Sequence, residues 1–229
     1  FPRGVDRSLV AREPSYRTPV KTRILAGGVH AARQQVVRID REPGWPVSET
    51  VSRALVPRLR AALTECDGVL LSDYGSGLVS PDLAAFVRAT VGRRGGPSVP
   101  VLVDSRYRLL DYKGLTTCTP NQAEVEQVTG TPIRDDDAEG LERAGRQVLR
   151  RTGMEAVLMT RGSRGMALFQ RGRKTVHVPI FGSDEVADVT GAGDTVLAAF
   201  GLALAAGASY EEAARLANYA GGIVVMKRG

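Results

Sequence analysis

The chain of 229 residues is 43% hydrophobic and 24% charged, the composition of a globular protein that is large enough to bury a sizeable core. Its longest apolar runs, such as 223–226, are far too short to cross a bilayer, and no charged-then-apolar leader opens the chain. The two cysteines, Cys66 and Cys118, are far apart and match no metal or redox spacing. We therefore expect a reduced, cytoplasmic protein with no membrane partner.

The formal net charge of +6 and the isoelectric point near 9.7 raise the question of a nucleic-acid partner. The basic residues are nearly all arginine, and they are scattered along the chain without interleaved aromatic residues. Surfaces that bind nucleic acid concentrate their basic residues, so this pattern favours solvated arginines and small anionic ligands. We expect no nucleic-acid partner.

The first part of the chain predicts a small sheet. Residues 1–19 are polar and broken by proline, which is typical of a loop or an extended arm. The stretches 21–26 and 34–40 are rich in β-forming residues, and Gly27-Gly28 supplies a turn between them. The two strands form either a lid over a substrate or a plain edge hairpin, and the residues alone favour the hairpin.

The rest of the chain alternates strands and helices. Leu55, Leu59 and Leu63 recur at helical spacing within a helix that Ser48 caps. The predicted elements are helix 48–64, buried strand 69–72, helix 81–91, strands 99–103 and 116–119, helices 122–129 and 137–152, strand 156–160, and a hairpin of 165–170 with 174–179. This alternation predicts an α/β fold with a mainly parallel central sheet and helices on both faces. We expect a single domain over 1–229, with the strands within 20–42 as an appendage.

Polar residues stand at the carboxyl ends of the predicted strands. Asp73, Asp104 and Asn121 each follow a strand, and a turn beginning Thr160-Arg161-Gly162 follows another. Ligands of parallel α/β sheets bind outside these ends of the strands. We expect a ligand site at this edge of the sheet.

The segment 188–195 carries the clearest chemical signal. Its glycines open a predicted helix, and the free N–H groups at such a start form an anion site. A carboxylate at Asp194 is unfavourable for an anionic ligand unless a hydroxyl loses its proton there while negative charge develops. Asp194 would then be the base, and the amides of Ala192, Gly193 and Asp194 would hold the charged oxygens. This arrangement is typical of phosphoryl transfer to an alcohol.

Other nucleotide-binding signatures do not fit. Gly191-Ala192-Gly193 could begin a dinucleotide fingerprint, but Val196 occupies the position of the third glycine. The chain has no Walker sequence ending in Gly-Lys-Ser/Thr and no protein-kinase set of motifs.

Two further motifs have two interpretations each. Asn121 and Glu124 lie one turn apart and would hold water ligands of Mg²⁺, or else form an ordinary helix cap. The glycines of the turn 160–165 would let the backbone approach a phosphate or a ribose, or else simply make a turn. In isolation, the ordinary interpretation is favoured for both.

Four motifs follow one another along the chain, namely Asn-x-x-Glu, Thr-x-Gly-x-x-Gly, Asp-x-Thr-Gly-Ala-Gly-Asp-Thr and a small-residue helix with Asn218. This combination in this order resembles the ribokinase-like (PfkB) carbohydrate kinases. Within that family, the stretches 21–23, 37–40 and 71–75 resemble the D-glycero-D-manno-heptose 7-phosphate kinases. These kinases stand alone or form the kinase half of bifunctional ADP-heptose synthases. The resemblance runs from about residue 18 to the end of the chain.

The resemblance implies a role for each matching residue. Asp194 is expected to take the proton of the attacking sugar hydroxyl, and Gly191, Ala192 and Gly193 to form the anion hole for the γ-phosphoryl group. On the ATP side, Asn121 and Glu124 are expected to hold Mg²⁺ through water. Thr160, Gly162 and Gly165 are expected at the phosphates and ribose, and Asn218 near the adenine. Asp188 and Thr190 are expected at a monovalent cation such as K⁺.

On the sugar side the resemblance implies a phosphorylated sugar, with Asp40 and Asp73 as its contacts. The acceptor in the heptose kinases is the anomeric hydroxyl, and the product is the 1,7-bisphosphate. This chain has Ser76 and Arg106 where those kinases usually carry lysine. The family's Gly-Gly-Ala-x-Asn-like sugar-binding segment comes before the point that matches Phe1, so we expect this chain either to be a fragment of a longer one or to have lost that segment.

The resemblance leaves two alternatives to a heptose kinase. One is another sugar or nucleoside kinase, such as a ribokinase or a fructokinase, and the other is a relative that binds nucleotide without catalysis. In every case the strands near 20–42 would be a lid or a dimer clasp, and we expect a homodimer.

Overall fold

The computed structural model describes residues 2–27, 34–42, 47–92, 98–134, 136–182 and 190–226. Two compact units are present, namely Phe1–Leu59 with Ser76–Leu78, and Arg60–Gly75 with Val79–Gly229. The expectation of one domain over 1–229 stays a prediction.

The predicted strands and helices are present, most with ends within two residues of the predicted ones. The strands are β1 (Val20–Ala26), β2 (Gln34–Arg41), β3 (Val69–Asp73), β4 (Val101–Ser105), β5 (Thr117–Cys118), β6 (Ala156–Thr160), β7 (Met166–Gln170) and β8 (Val176–Val178). The helices are α1 (Glu49–Ala62), α2 (Pro81–Val91), α3 (Gln122–Thr129), α4 (Ala138–Thr152), α5 (Ala192–Ala205) and α6 (Tyr210–Met226).

The first unit contains the two-stranded sheet. Strands β1 and β2 pair antiparallel, with one register shift between Ile24 and Leu25. The turn expected at Gly27-Gly28 lies partly outside the described residues. Apolar side chains of the two strands are exposed, most of all Val36, which is 67% exposed. A two-stranded ribbon that leaves so much apolar surface uncovered is marginally stable alone.

Helix α1 begins as predicted, but its leucine stripe is not a buried face. The N–H of Val51 donates to the hydroxyl of Ser48 at 3.3 Å, which confirms the expected cap. Leu55 and Leu59 are only half-buried, and Leu63, which follows the helix, is the leucine that is buried.

The second unit contains a six-stranded sheet in the order β3-β4-β5-β6-β7-β8. The first four strands pair parallel, whereas β7 and β8 are antiparallel additions. Crossover connections are long enough to carry α2, α3 and α4, while β6, β7 and β8 follow one another through short turns. The predicted mainly parallel sheet is confirmed.

Helices cover both faces of this sheet, as expected. Successive side chains of a strand point to opposite faces. Leu168 of β7 lies in one core cluster with Phe200 of α5 and Ala217 of α6. The next residue, Phe169, lies against α4, where a side chain at Gly145 would collide with the aromatic ring.

Strand β3 is the end strand of the sheet within the described residues, and this corrects its prediction as a fully buried strand. Leu71 and Asp73 are buried, but Leu70 is 42% exposed. The same Leu70 packs on α5, where a Cβ at Gly201 would lie 2.5 Å from its methyl carbon. None of the helices in the described part of the chain combines the length and apolar content needed to span a membrane.

Candidate active site

Acidic side chains converge at the carboxyl edge of the sheet, where the sequence predicted a ligand site. Burial raises the pKa of Asp104, at the end of β4, to about 7, and the negative charges of Glu124, Asp194 and Asp73 add to that rise. These four carboxylates come from the ends of β3 and β4 and the starts of α3 and α5. The fold therefore collects predicted site residues from distant parts of the chain.

The start of α5 is open. Gly191 precedes the helix with φ 77°, and no side chain of the described residues caps the helix. The first N–H groups of a helix have no acceptor within it, so they are available to an anion. A Cβ added at Gly191 or Gly193 would meet nothing within 4 Å. These glycines serve no packing need among the described residues, and the space beside them suits a phosphoryl group.

Asp194 lies in the first turn of α5 and is exposed. The hydroxyl of Tyr74 donates to both of its carboxylate oxygens, at 2.9 Å to Oδ1 and 3.1 Å to Oδ2. Burial raises the pKa of Tyr74 to about 12, and the hydrogen bond to Asp194 adds to that rise. A carboxylate beside an anion site, with lone pairs left for another donor, is what a general base requires.

Asp73 has a different environment. It is 6% exposed, and its oxygens accept hydrogen bonds from the hydroxyls of Tyr112 (2.7 Å) and Ser105 (2.8 Å) and the N–H of Gly75 (2.9 Å). These bonds tie the end of β3 to β4 and to the buried ring of Tyr112. Asp73 therefore has an architectural role, and its expected contact with a sugar stays a prediction.

Asn121 and Glu124 form a reciprocal cap at the start of α3. The side chain of Asn121 accepts from the N–H of Glu124, and the carboxylate of Glu124 accepts from the N–H of Asn121, both at 2.9 Å. The ordinary interpretation is therefore present in the structure. Burial raises the pKa of Glu124, and the carboxylate keeps lone pairs beyond those the cap uses. A role at a metal stays compatible with this geometry.

A magnesium ion would find oxygen donors here but no complete cage. Among the described residues, no three His, Cys, Asp or Glu side chains are arranged to hold a metal ion. Mg²⁺ commonly keeps several waters and binds one or two carboxylates together with substrate phosphates. The mutual repulsion that raises the pKa of Asp104 is relieved by a divalent cation, so the donor set fits Mg²⁺ held through water.

The turn 160–165 joins β6 to β7 beside Asn121, which forms an isolated parallel bridge with Thr160. Its two glycines differ. Gly162 has φ 57° and open space around it, which suits a ligand. Gly165 has φ 71°, and a Cβ there would collide with the carbonyl of Val178 and lie 2.8 Å from the amide nitrogen of Ile180. The fold itself therefore requires a glycine at 165.

Asn218 is buried in α6 and donates its side-chain amide to the carbonyl of Pro179 at 2.8 Å. This bond connects α6 to the segment that follows β8. The next residue, Tyr219, packs edge-on against Phe181 with ring centroids 4.7 Å apart, and both rings are partly exposed. The expected position beside an adenine stays a prediction.

The expected roles of the three remaining predicted residues stay predictions. Asp188 lies outside the described residues, and Thr190 is exposed just before α5. Asp40 lies on β2 in the first unit, where it pairs with Arg38 at 2.9 Å.

Two residues at the site were not predicted as functional. Asp104 was noted at a strand end, and Tyr74 was noted only within the stretch 71–75. Asp104 lies at the carboxyl end of β4, and Tyr74 directly follows the neighbouring parallel strand β3, which was the available signal. Tyr74 and Asp194 are 120 residues apart, so no local pattern pairs them.

An open anion site with a carboxylate beside it, on a parallel α/β sheet, defines a class of phosphoryl-transfer proteins. A family model described as pfkB family carbohydrate kinase matches residues 15–229. The chain therefore belongs to the pfkB family of carbohydrate kinases, which confirms the resemblance.

Curated relatives and solved structures agree with this family. The chain is 43% identical over 227 residues to the bifunctional protein HldE of Trichlorobacter lovleyi, covering 99% of this chain and 44% of the relative. It is 42% identical over 228 residues to HldE of Geobacter sulfurreducens, with the same coverage. The chain thus spans less than half the length of these relatives.

Among solved structures, Arabidopsis thaliana ribokinase complexed with ribose and ATP matches with a TM-score of 0.65 and 25% identity, covering 90% of this chain and 63% of that chain. Escherichia coli phosphofructokinase-2 in complex with potassium also has a TM-score of 0.65, at 19% identity, covering 83% and 62%. These likenesses support the ribokinase-like fold.

Proposed function

We propose that the protein is an ATP-dependent kinase that phosphorylates the anomeric hydroxyl of D-glycero-D-manno-heptose 7-phosphate and forms the 1,7-bisphosphate. The observation that carries the kinase activity is the exposed carboxylate of Asp194 beside the open, uncapped start of α5. The sugar follows from the likeness to HldE and to the heptose kinases in the stretches 21–23, 37–40 and 71–75.

In this proposal Asp194 accepts the proton of the sugar hydroxyl as its oxygen attacks the γ-phosphorus of ATP. A new phosphorus–oxygen bond forms to the sugar. The bond to the β,γ-bridging oxygen breaks, and ADP leaves with that electron pair. The N–H groups of Ala192, Gly193 and Asp194 donate to the transferred group, and Gly191 leaves room for it. Catalysis is mainly positioning and charge stabilisation.

Mg²⁺, when bound, neutralises charge on the phosphates, and Asn121 and Glu124 would hold it through water. On the ATP side, Thr160, Gly162 and Gly165 would line the phosphates and ribose. Asn218 would lie near the adenine. Because a family relative is solved with potassium, we extend the proposal to K⁺ near Asp188 and Thr190.

We carry over Asp40 and Asp73 as individual sugar contacts, and the departures at Ser76 and Arg106 bear on which sugar is accepted. For Asp73, we place the contact on lone pairs that the three internal hydrogen bonds leave unused.

We also propose a homodimer through β1 and β2, the strands expected to form a lid or a dimer clasp. Val20, Ile24, Val36, Val37 and Ile39 are 41–67% exposed on these strands, and a second copy would cover them. Dimerisation would appear as a concentration-dependent mass by light scattering. A protein that stays monomeric over the whole concentration range contradicts the clasp. We place the protein in the cytoplasm, because Cys66 and Cys118 match no metal or redox spacing.

The activity is tested with ATP, Mg²⁺ and a panel of sugars, with products identified by ³¹P NMR. We expect a 1-phosphate on heptose 7-phosphate, and little product with ribose or fructose 6-phosphate. Turnover of ribose or fructose 6-phosphate, but not of the heptose, would assign the chain to another sugar kinase. ATP binding without product from any sugar would support a non-catalytic relative.

A further inference from the structure

The contact between Tyr74 and Asp194 links two elements that are distant in sequence. Tyr74 follows β3, and Asp194 lies in the first turn of α5. One phenol hydroxyl donates to both carboxylate oxygens, at 2.9 and 3.1 Å. In the second unit the side chain of the proposed base is therefore held by a residue outside its own helix.

Hydrogen bonds fix the backbone on both sides of Tyr74, independently of the contact between its hydroxyl and Asp194. The buried carboxylate of Asp73 accepts the N–H of Gly75, and it also accepts the hydroxyls of Ser105 and Tyr112. The carbonyl of Asp73 accepts the N–H of Arg106 at 3.3 Å. These bonds anchor both sides of Tyr74 to β4 and to the core.

Helix α5 is held against the same strand at a second point. Gly201 packs so closely on Leu70 of β3 that an added Cβ would lie 2.5 Å from the leucine methyl carbon. This contact sets the distance between helix and strand near the middle of α5. The hydrogen bond from Tyr74 sets the orientation of Asp194 at its start.

We propose that Tyr74 is a positioning residue, whose hydroxyl holds the carboxylate of Asp194 in the orientation that accepts the proton of the sugar hydroxyl. The inference rests on the proposed kinase activity. Asp194 is exposed, so its carboxylate would otherwise sample several rotamers, and misorientation lowers the population aligned for proton transfer. A carboxylate has about four lone-pair sites, so the phenol leaves room for the sugar hydroxyl.

The kinetic test compares Tyr74→Phe with Tyr107→Phe. The two tyrosines are similarly exposed, at 51% and 55%, and within the described chain the hydroxyl of Tyr107 makes no hydrogen bond. We expect Tyr74→Phe to lower kcat about tenfold with both KM values nearly unchanged, because it removes a hydrogen bond to a charged group. Tyr107→Phe should behave like the wild type.

The Asp194→Asn background provides the second arm of the test. If Tyr74 acts through Asp194, adding Tyr74→Phe to Asp194→Asn causes no further loss. A tenfold loss in that background overturns the proposal. A rise in the KM for the sugar with kcat unchanged also overturns it, because Tyr74 would then be a sugar contact.

A spectroscopic readout separates failure of this inference from failure of the proposed function. If the wild type phosphorylates none of the sugars, the proposed function fails while the contact stays testable by NMR titration of ¹³C-labelled tyrosine. We expect the pKa of Tyr74, about 12 in the wild type, to fall in Asp194→Asn. An unchanged pKa would show that the hydroxyl does not hold Asp194 in solution.

Discussion

The end of β3 and the start of α5 each present an aspartate to the same edge of the sheet, and the two side chains differ in every other respect. Asp73 is buried, and three donors of the chain occupy its oxygens. Asp194 is exposed beside a helix start that no described side chain caps, and among the described residues its carboxylate accepts from Tyr74 alone. The contrast shows that exposure and the number of internal donors, rather than residue type, separate the proposed base from the architectural aspartate.

The largest expected effect is on catalysis at Asp194. We expect Asp194→Asn to lower kcat by roughly 10²–10⁴-fold, the usual contribution of a positioned acid or base, with ATP binding and folding nearly intact. Steady-state kinetics and calorimetric ATP titration measure the two quantities. Asp136→Asn, at an exposed carboxylate, is the control. Near-normal turnover in Asp194→Asn would remove it from the role of base.

The next effect is on stability at Asp73. We expect Asp73→Ala to lower the free energy of unfolding by about 3 kcal/mol, because it leaves buried donors without an acceptor. A loss of this size lowers Tm by roughly 6–12 °C in a domain of this length. Asp194→Ala should leave Tm almost unchanged. Equal shifts in the two variants would contradict the contrast between the two aspartates.

Glycine substitutions beside Asp194 and beside Asp73 sharpen the comparison of the two aspartates. Gly193→Ala should stabilise α5 by about 0.5–1 kcal/mol, as alanine does within a helix, while the methyl group fills the phosphoryl space and lowers kcat/KM. Gly75→Ala, at φ 81°, should cost about 1–2 kcal/mol. Thermal melts and ATP kinetics on both variants test this. Full activity in Gly193→Ala would argue against a phosphoryl group at this position.

A further effect is the pH dependence of stability due to Asp104. Its pKa is raised to about 7 in the folded state, whereas an unfolded aspartate titrates near about 3.9. Between these two pH values the folded protein therefore holds more protons than the unfolded chain. The contribution of Asp104 to the free energy of unfolding accordingly falls as pH rises from about 4 to about 7, and it stays low at higher pH.

Asp104→Asn should accordingly have a higher Tm than the wild type above about pH 7, and the same Tm as the wild type near about pH 4. Melting curves across this range, without divalent cations, make the measurement. Added Mg²⁺ should narrow the gap by neutralising the carboxylates. A gap that is the same at every pH would show that ionisation of Asp104 is not its cause.

The sequence predicted the features that rest on neighbouring residues. The alternation of strands and helices predicted the α/β sheet, because the spacing of apolar residues along each element depends on which of its own side chains are buried. The caps at Ser48 and Asn121, and the glycine-rich start of α5, act within four residues and could be predicted for the same reason. The identity of Asp194 as the proposed base therefore came from the sequence alone.

Only the tertiary structure decided the features that depend on distant parts of the chain. The burial of Asp73, the collision that reserves position 165 for glycine, and the exposed edge of β3 are set by which elements pack together. The hydrogen bond from Tyr74 to Asp194 spans 120 residues, and it exists because β3 and α5 lie side by side. Local patterns name the reactive residue, but the fold determines what surrounds it, because long-range packing controls burial and hydrogen-bond partners.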